Sequence, residues 1–218
     1  MKIEKTTVYG FIPAFRGMRN PMNSWDRSDT DWSKPQADWG DFTDAPLVIG
    51  PEDLKLARKL IKAGGEHRKF VRMIQAWVDI TIPRYVWTEF DTYKIGVTRS
   101  SCSTMHKLGT KDLDKSDFQD GNVLQGTLDV LNLFGAAYRD TKDYQYVRKI
   151  KQILPEGFLQ KATINLNYEV AQNMLHQRKN HRLFEWSLSA KDEMDELEQS
   201  LCDWIVTLPH FMEMFNED

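Results

Sequence analysis

The pattern of the 218-residue sequence predicts an α+β fold: an antiparallel sheet packed with several helices, in a single domain over residues 1–218. Three observations predict it. One stretch near residue 78 alternates with period two, most of the remaining apolar residues recur with helical spacing, and the composition can bury a core. Hydrophobic residues are 41% and charged residues 28%, the balance of an ordinary globular domain.

The first unusual region, Arg19 to Pro46, is rich in Asn, Asp, Ser, Pro and Trp. Trp25, Trp32 and Trp39 recur every seven residues, but Pro35 and Gly40 argue against a helical seam. The segment reads as a long Trp-rich loop. It serves as a lid or subunit contact, or is pinned to its own domain.

Pro51-Glu52-Asp53 opens a helix, with Pro in the first turn and carboxylates at the positive dipole end. Leu54, Ala57, Leu60 and Ile61 form its stripe, and Gly64-Gly65 ends it. From Ile74 to Ile82, Ala76, Val78, Ile80 and Ile82 alternate with Gln75, Trp77, Asp79 and Thr81, as in a strand with one apolar face. Pro83 stops the strand and opens a helix over Arg84 to Lys94. Ile95 to His106 reads as a loop or short irregular strand. Val123 to Tyr138 carries helical spacing, and Tyr144, Val147, Ile150 and Leu154 mark another helix ended by Pro155. Thr163 to Asn180 is read as a helix with Ile164, Val170, Met174 and Leu175 apolar. Ser189 is read as the cap of a last long helix through Met194, Leu197, Leu201, Trp204 and Ile205.

Lys plus Arg is 29 against 32 for Asp plus Glu, so no global basic field drives binding to nucleic acid. No apolar run approaches the ~20 residues of a membrane span. The first residues lack the apolar stretch of a signal peptide. Cys102 and Cys202 form no metal-spaced cluster and read as reduced thiols of a cytoplasmic protein. No Gly-x-Ser-x-Gly and no phosphate-binding Gly-rich loop with Lys appears, so no catalytic side chain is assigned. His176 and His181 are five apart, a poor zinc pair, so no metal site is assigned.

The densest polar constellation is Asn165, Asn167, Asn173, His176, Gln177, Arg178 and His181 on the expected Thr163–Asn180 helix. Asn is a poor interior helix former, so three on one helix need a reason. Amide edges suit a heterocyclic ring, and the Arg178 fork matches phosphate. With the basic run Arg148-Lys149-Ile150-Lys151 they would surround a nucleotide. Alternatively the amides cap helices and Arg178 pairs with the acidic last helix.

Leu154-Pro155, Asn167 twelve residues after the Pro, Asn173 six further on, and Arg178 eleven after Asn167 resemble the C-terminal pattern of the flavin-dependent thymidylate synthases (ThyX). The strand ending in Pro83-Arg84-Tyr85-Val86, and Gly64-Gly65-Glu66-His67 before it, are similar to that family's upstream segments. Glu89–Gly96, Ser101–Lys107, Leu166–Val170 and Asn180–Trp186 resemble more closely an uncharacterised phage- and Firmicute-type group of its relatives. The resemblance implies a flavoprotein that methylates dUMP to dTMP with FAD, reduced nicotinamide and methylenetetrahydrofolate, with sites between subunits of a homotetramer. It implies substrate contacts from Arg178, Lys151, Ser101 and Ser103. It implies cofactor contacts from Asn167, Asn173, His67 and Lys94.

Several positions depart from the family. Its Arg-His-Arg is Thr92-Tyr93-Lys94 here, and the following Ser is Cys102, flanked by Ser101 and Ser103. A Gln is Glu89, and two further arginines are Glu169 and Thr104. Losing a charged contact to phosphate costs about 1.5–3 kcal/mol. Replacement cations are sought in Arg72, Arg84, Arg99 and Lys107, and Glu169 is expected to pair with Lys151 or Arg182. Two other readings stay open: an inactive relative that binds a nucleotide or other anion, and an interaction protein built on the Trp-rich segment and the aromatics of Tyr85–Tyr93.

Overall fold

The computed structural model describes residues 1–33, 43–189 and 199–216. Four strands form an antiparallel sheet in the order β1-β2-β4-β3: β1 (Lys2–Tyr9), β2 (Gln75–Pro83), β3 (Val97–Ser101) and β4 (Leu159–Asn167). The helices are α1 (Phe11–Arg19), α2 (Pro51–Lys62), α3 (Arg84–Phe90), α4 (Thr104–Lys107), α5 (Gln125–Thr141), α6 (Tyr144–Ile153), α7 (Tyr168–Arg178), α8 (Leu201–Val206) and α9 (Phe211–Phe215). The expected α+β class is what is found. By contact density the chain divides into two compact units. One comprises Met1–Lys2, Ile80–Thr92 and Arg99–Thr163; the other comprises Ile3–Asp79, Tyr93–Thr98 and Ile164–Asp218.

In the first unit, Leu128 and Leu131 of α5 and Ile150 of α6 close on Leu108, Leu113, Phe118 and Leu154. Asn132 on α5 holds the adjoining loop through both amide atoms: Oδ1 accepts from Leu113 N at 2.8 Å, and Nδ2 donates to Leu113 O at 2.9 Å. Gly109 (φ +81) sits where a Cβ would lie 3.2 Å from the Tyr138 ring, so only glycine serves there without strain.

In the second unit, aromatic side chains anchor α7. The Tyr168 ring meets Phe11 edge-on at 5.7 Å and Phe211 at 5.4 Å, and its hydroxyl donates to Pro209 O at 2.8 Å. Tyr168 N donates to Ile74 O, tying the start of α7 to the residue before β2. Asp53 on α2 is buried with Arg19, whose Nε donates at 2.7 Å, and also accepts from Ser28 and from the Thr30 hydroxyl and amide. Burial alone would raise the Asp53 pKa, but these hydrogen bonds and the Arg19 charge outweigh it and hold the carboxyl below its ordinary range. The network pins the front of the Trp-rich segment. Trp32 packs on Phe15 at 5.3 Å, whereas Trp25 is half exposed with its indole on Asn20. Trp39 lies outside the described residues.

Three expectations change. The Thr163–Asn180 segment is not one helix: Ala162, Ile164 and Leu166 are buried alternately on β4, and the helix begins at Tyr168. The period-two run is only three residues of small and aliphatic type, and it abuts a helix, so helical spacing masks it. Asn165 therefore stands on a strand, where its Nδ2 donates to Gln75 Oε1 at 3.1 Å, and Asn167 is the helix cap. The helix after Pro83 stops at Phe90 rather than Lys94, because Gly96 and an extended β3 follow. The helix expected through Leu201, Trp204 and Ile205 is α8, which starts at Leu201, capped by Ser200 in a capping box with Asp203, and α9 follows it. Met194 and Leu197, read into that helix, lie outside the described residues. Ser189 instead gives its amide and hydroxyl to Asp203, each at 2.8 Å.

Candidate functional site

The expected site residues divide between the two units. Asn167, Asn173, Arg178, His67 and Lys94 belong to the second, and Lys151, Ser101 and Ser103 to the first.

On the second unit, residues 93–96 run beside α7. The Tyr93 hydroxyl bonds Gln177 Oε1 at 2.8 Å and accepts from Arg178 Nε at 3.2 Å. At the other end, a Cβ on Gly96 (φ +78) would meet Asn167 Nδ2 at 2.5 Å and Val170 at 3.3 Å. Lys94 lies exposed between these two contacts. Asn173, exposed, is one turn from both Val170 and Gln177, so it shares that edge of the helix. The structure thus brings Lys94 beside α7 near Gln177 and Arg178, whereas Asn173, five residues before Arg178, stands about 140° round the helix from it.

Asn167 has a structural duty. Its side chain, 9% exposed, accepts from Val170 N at 3.0 Å as the N-cap. Arg178 is held on several sides. Its guanidinium lies 5.2 Å over the Trp186 ring, and Nη1 is 3.1 Å from His181 Nε2. Tyr93, the middle residue of the Thr-Tyr-Lys trio, is thus a positioning residue that was not read from the sequence.

Along the adjoining edge of α7, Glu169 pairs with Arg68 (Nε–Oε1 2.9 Å) and with Arg72, not with the expected Lys151 or Arg182. Arg68 also donates from Nη1 to Gln172 at 3.1 Å. Burial works to raise the Glu169 pKa, but hydrogen bonds from Arg72 and Arg68 and their charges hold it lowered. Two guanidinium groups against one carboxylate leave a net single positive charge. The charge reversal at Glu169 is therefore cancelled by neighbours that follow it in space and precede it by about a hundred residues in sequence. His67, exposed in the turn beside Arg68, is near this cluster.

On the first unit, a cavity of about 410 Å³ opens beside Ser103. Leu108, Leu113, Phe158 and Leu159 give it an apolar floor, and Lys107, Lys111 and Lys161 bring cations to its walls. Asp117 neutralises Lys111 at 3.1 Å. The Ser103 hydroxyl accepts from His106 N at 3.3 Å as the cap of α4, while Ser101 is exposed on β3 and does not line the cavity. Cys102 N donates to Lys161 O at 2.8 Å and Gln160 Nε2 to Cys102 O at 2.7 Å, which fixes this wall. Such a pocket suits an anion with a flat apolar body. Lys111 and Lys161 gave no signal in the sequence. Lys151 sits apart, exposed with Arg148 on α6 at a different cavity of about 590 Å³.

Of the other cations sought as replacements, Arg84 pairs with Glu156 at 3.3 Å. Arg99 stacks over Trp87 at 4.8 Å and pairs with Asp91. Cys202 is buried, and burial pushes its thiol up to about 12, which makes it inert. Among the described residues, no cluster of His, Cys, Asp and Glu is placed to hold a metal, and no helix is long and apolar enough to cross a membrane.

No protein-family model and no curated protein matches the sequence. Solved structures do match its fold. A flavin-dependent thymidylate synthase ThyX from Helicobacter pylori, complexed with FAD and dUMP, is 15% identical, with 99% of this chain and 98% of that one covered at a TM-score of 0.63. A second Helicobacter pylori ThyX structure with FAD and dUMP matches at 14% identity and 0.65 over the same shares. A UMP/dUMP methylase PolB from Streptomyces cacaoi, bound with 5-Br dUMP, is 10% identical, with 98% and 93% covered at 0.55. At such identities the likeness establishes the fold, and that fold is the ThyX fold.

Proposed function

We propose that the protein is a ThyX-like flavoprotein that binds FAD and a pyrimidine nucleotide of the dUMP type. The observation that carries this reading is a fold match over nearly the whole of both chains, joined to the amides and cations gathered along α7. Both ThyX neighbours hold FAD and dUMP, and PolB holds a dUMP analogue.

The residues present fit the flavin ring. The exposed Asn173 amide offers a donor and an acceptor to its pyrimidine edge, and Lys94 adds a positive charge beside it. Bound FAD would supply hydride chemistry, and the protein would supply binding and orientation. Arg178, braced by Tyr93 and Trp186, presents a guanidinium of fixed orientation, so little rotamer freedom is lost when it meets a phosphate or a base oxygen. The cavity at Ser103 on the first unit, with Lys107 among its walls and Phe158 on its floor, is considered by itself as a place for an anion with an apolar body. The overall reaction in this reading is reductive methylation of dUMP to dTMP, with methylenetetrahydrofolate and reduced nicotinamide, in a cytoplasmic homotetramer.

A second reading, nucleotide binding without turnover, is favoured by one observation. Arg68 and Arg72 are both committed to Glu169, which leaves Lys94 to replace the family's Arg-His-Arg. Thermal melting with and without dUMP tests the shared part of both readings. A ligand at 100 times its dissociation constant adds about 2.7 kcal/mol of stability. Arg178→Ala should reduce the shift. An absent shift in the wild type at millimolar dUMP contradicts nucleotide binding. Conversion of labelled dUMP in the presence of the three co-reactants then separates turnover from binding.

A further inference from the structure

Two neighbours on α7 converge on one hydroxyl group. Gln177 and Arg178 are successive residues, about 100° apart around the helix. Yet Gln177 Oε1 stands 2.8 Å and Arg178 Nε 3.2 Å from the Tyr93 hydroxyl oxygen. Tyr93 is itself held in place. Its ring lies against that of the buried Trp186, with centroids 6.2 Å apart.

These hydrogen bonds fix orientation as well as position. An arginine Nε–H only donates, so the Tyr93 oxygen accepts from it. The hydroxyl proton then goes to the amide, and only the carbonyl oxygen of Gln177 can receive it. The amide therefore has one sense: Nε2, with its two N–H donors, turns away from Tyr93 and stands beside the guanidinium. Stability alone does not account for this. Gln177 is exposed, and ordering an exposed glutamine costs about as much side-chain freedom as one hydrogen bond returns. A fixed amide has its effect where a ligand has to be read. Being neutral, it adds little to the hold on a phosphate, but a donor of fixed direction tells a carbonyl oxygen from an amino group.

We infer that Gln177 is a specificity-determining residue, with Tyr93 as its positioning residue: Gln177 Nε2 donates to the 4-carbonyl oxygen of a uracil and rejects the 4-amino group of a cytosine. This rests on the nucleotide reading above and adds to it the side chain that selects the base. With a cytosine nucleotide, two donors face each other and neither finds an acceptor. A site built to hydrogen-bond one group discriminates strongly against an analogue that cannot return the bond.

The test is calorimetric titration of the full-length protein with dUMP and dCMP at neutral pH, repeated on Gln177→Glu and on Tyr93→Phe. The wild type should bind dUMP at least about tenfold more tightly than dCMP. In Gln177→Glu, one carboxylate oxygen takes the Tyr93 proton and the other faces the base as an acceptor, so the order of the two nucleotides should reverse. Tyr93→Phe frees the amide to turn over, so the ratio should fall toward one. The ratio is the readout because a damaged fold or a lost phosphate contact weakens both nucleotides alike, and an unchanged melting temperature checks the exposed Gln177→Glu substitution. Equal wild-type affinities, or a ratio that Gln177→Glu leaves unchanged, overturn the inference and leave nucleotide binding standing. A ratio that Tyr93→Phe leaves unchanged removes Tyr93 as the positioning residue. Binding of neither nucleotide at millimolar concentration overturns the nucleotide reading and this inference together.

Discussion

Arg178 is the side chain on which the proposed nucleotide contact rests, and its surroundings explain why it stays put. A guanidinium stacked on Trp186 and bonded to the Tyr93 hydroxyl loses little freedom when a ligand arrives. Arg178→Ala should weaken dUMP binding by about 2 kcal/mol, as for one charged hydrogen bond. Calorimetry reads this directly, and an unchanged affinity removes Arg178 from the site. Glu169 makes a different prediction. Its pKa is lowered in the folded state, so its stabilising effect is present above the unfolded glutamate value and is lost as pH falls through the lower folded value. Glu169→Gln should therefore cost about 1–3 kcal/mol near neutrality, where the side chain is only 14% exposed. The difference in melting temperature between wild type and variant should shrink below about pH 4. A difference that persists unchanged into acid would show that the ion pairs contribute nothing.

At the level of elements, the start of α7 is the most informative place. Asn167 drew notice because Asn is unusual inside a helix, and it stands at the cap, where Asn is favoured; the flavin contact is what the family resemblance implies for it. Asn167→Ala should lower stability by about 1 kcal/mol by urea titration. A loss of flavin affinity with no loss of stability would mean that the side chain serves binding rather than the cap. Gly96 depends on the same contact. With φ at +78 and Asn167 Nδ2 standing 2.5 Å from its would-be Cβ, Gly96→Ala should destabilise by more than about 1 kcal/mol. A variant as stable as the wild type would mean that residues 93–96 do not hold to α7 as described.

Across the whole molecule, what could be read from sequence depended on how local the signal was. α2, β2, α5 and α6 announce themselves through clean apolar periods and turn residues, and they are found within three residues of where those signals place them. β1 gives no such signal, because Val8 alone of its residues is buried. β4 was absorbed into the helix it precedes. The site was harder still. Spacing brought out Asn173 and Arg178 on α7, and the family resemblance added Lys94, which lies beside that helix. It could not show that Arg68 and Arg72 compensate Glu169, since that pairing is made only when distant segments fold together. The lysines around the Ser103 pocket likewise sit on separate segments with no pattern in common.

The most direct test of a ThyX-like flavoprotein is the visible absorption spectrum of the purified protein, followed by titration with FAD. The account predicts a bound flavin band near about 450 nm, either on purification or on saturation with a single FAD per chain. It further predicts that Lys94→Glu with Asn173→Ala abolishes that band without lowering the melting temperature. A wild-type protein that stays colourless and takes up no FAD would contradict it, leaving a ThyX fold without the flavin.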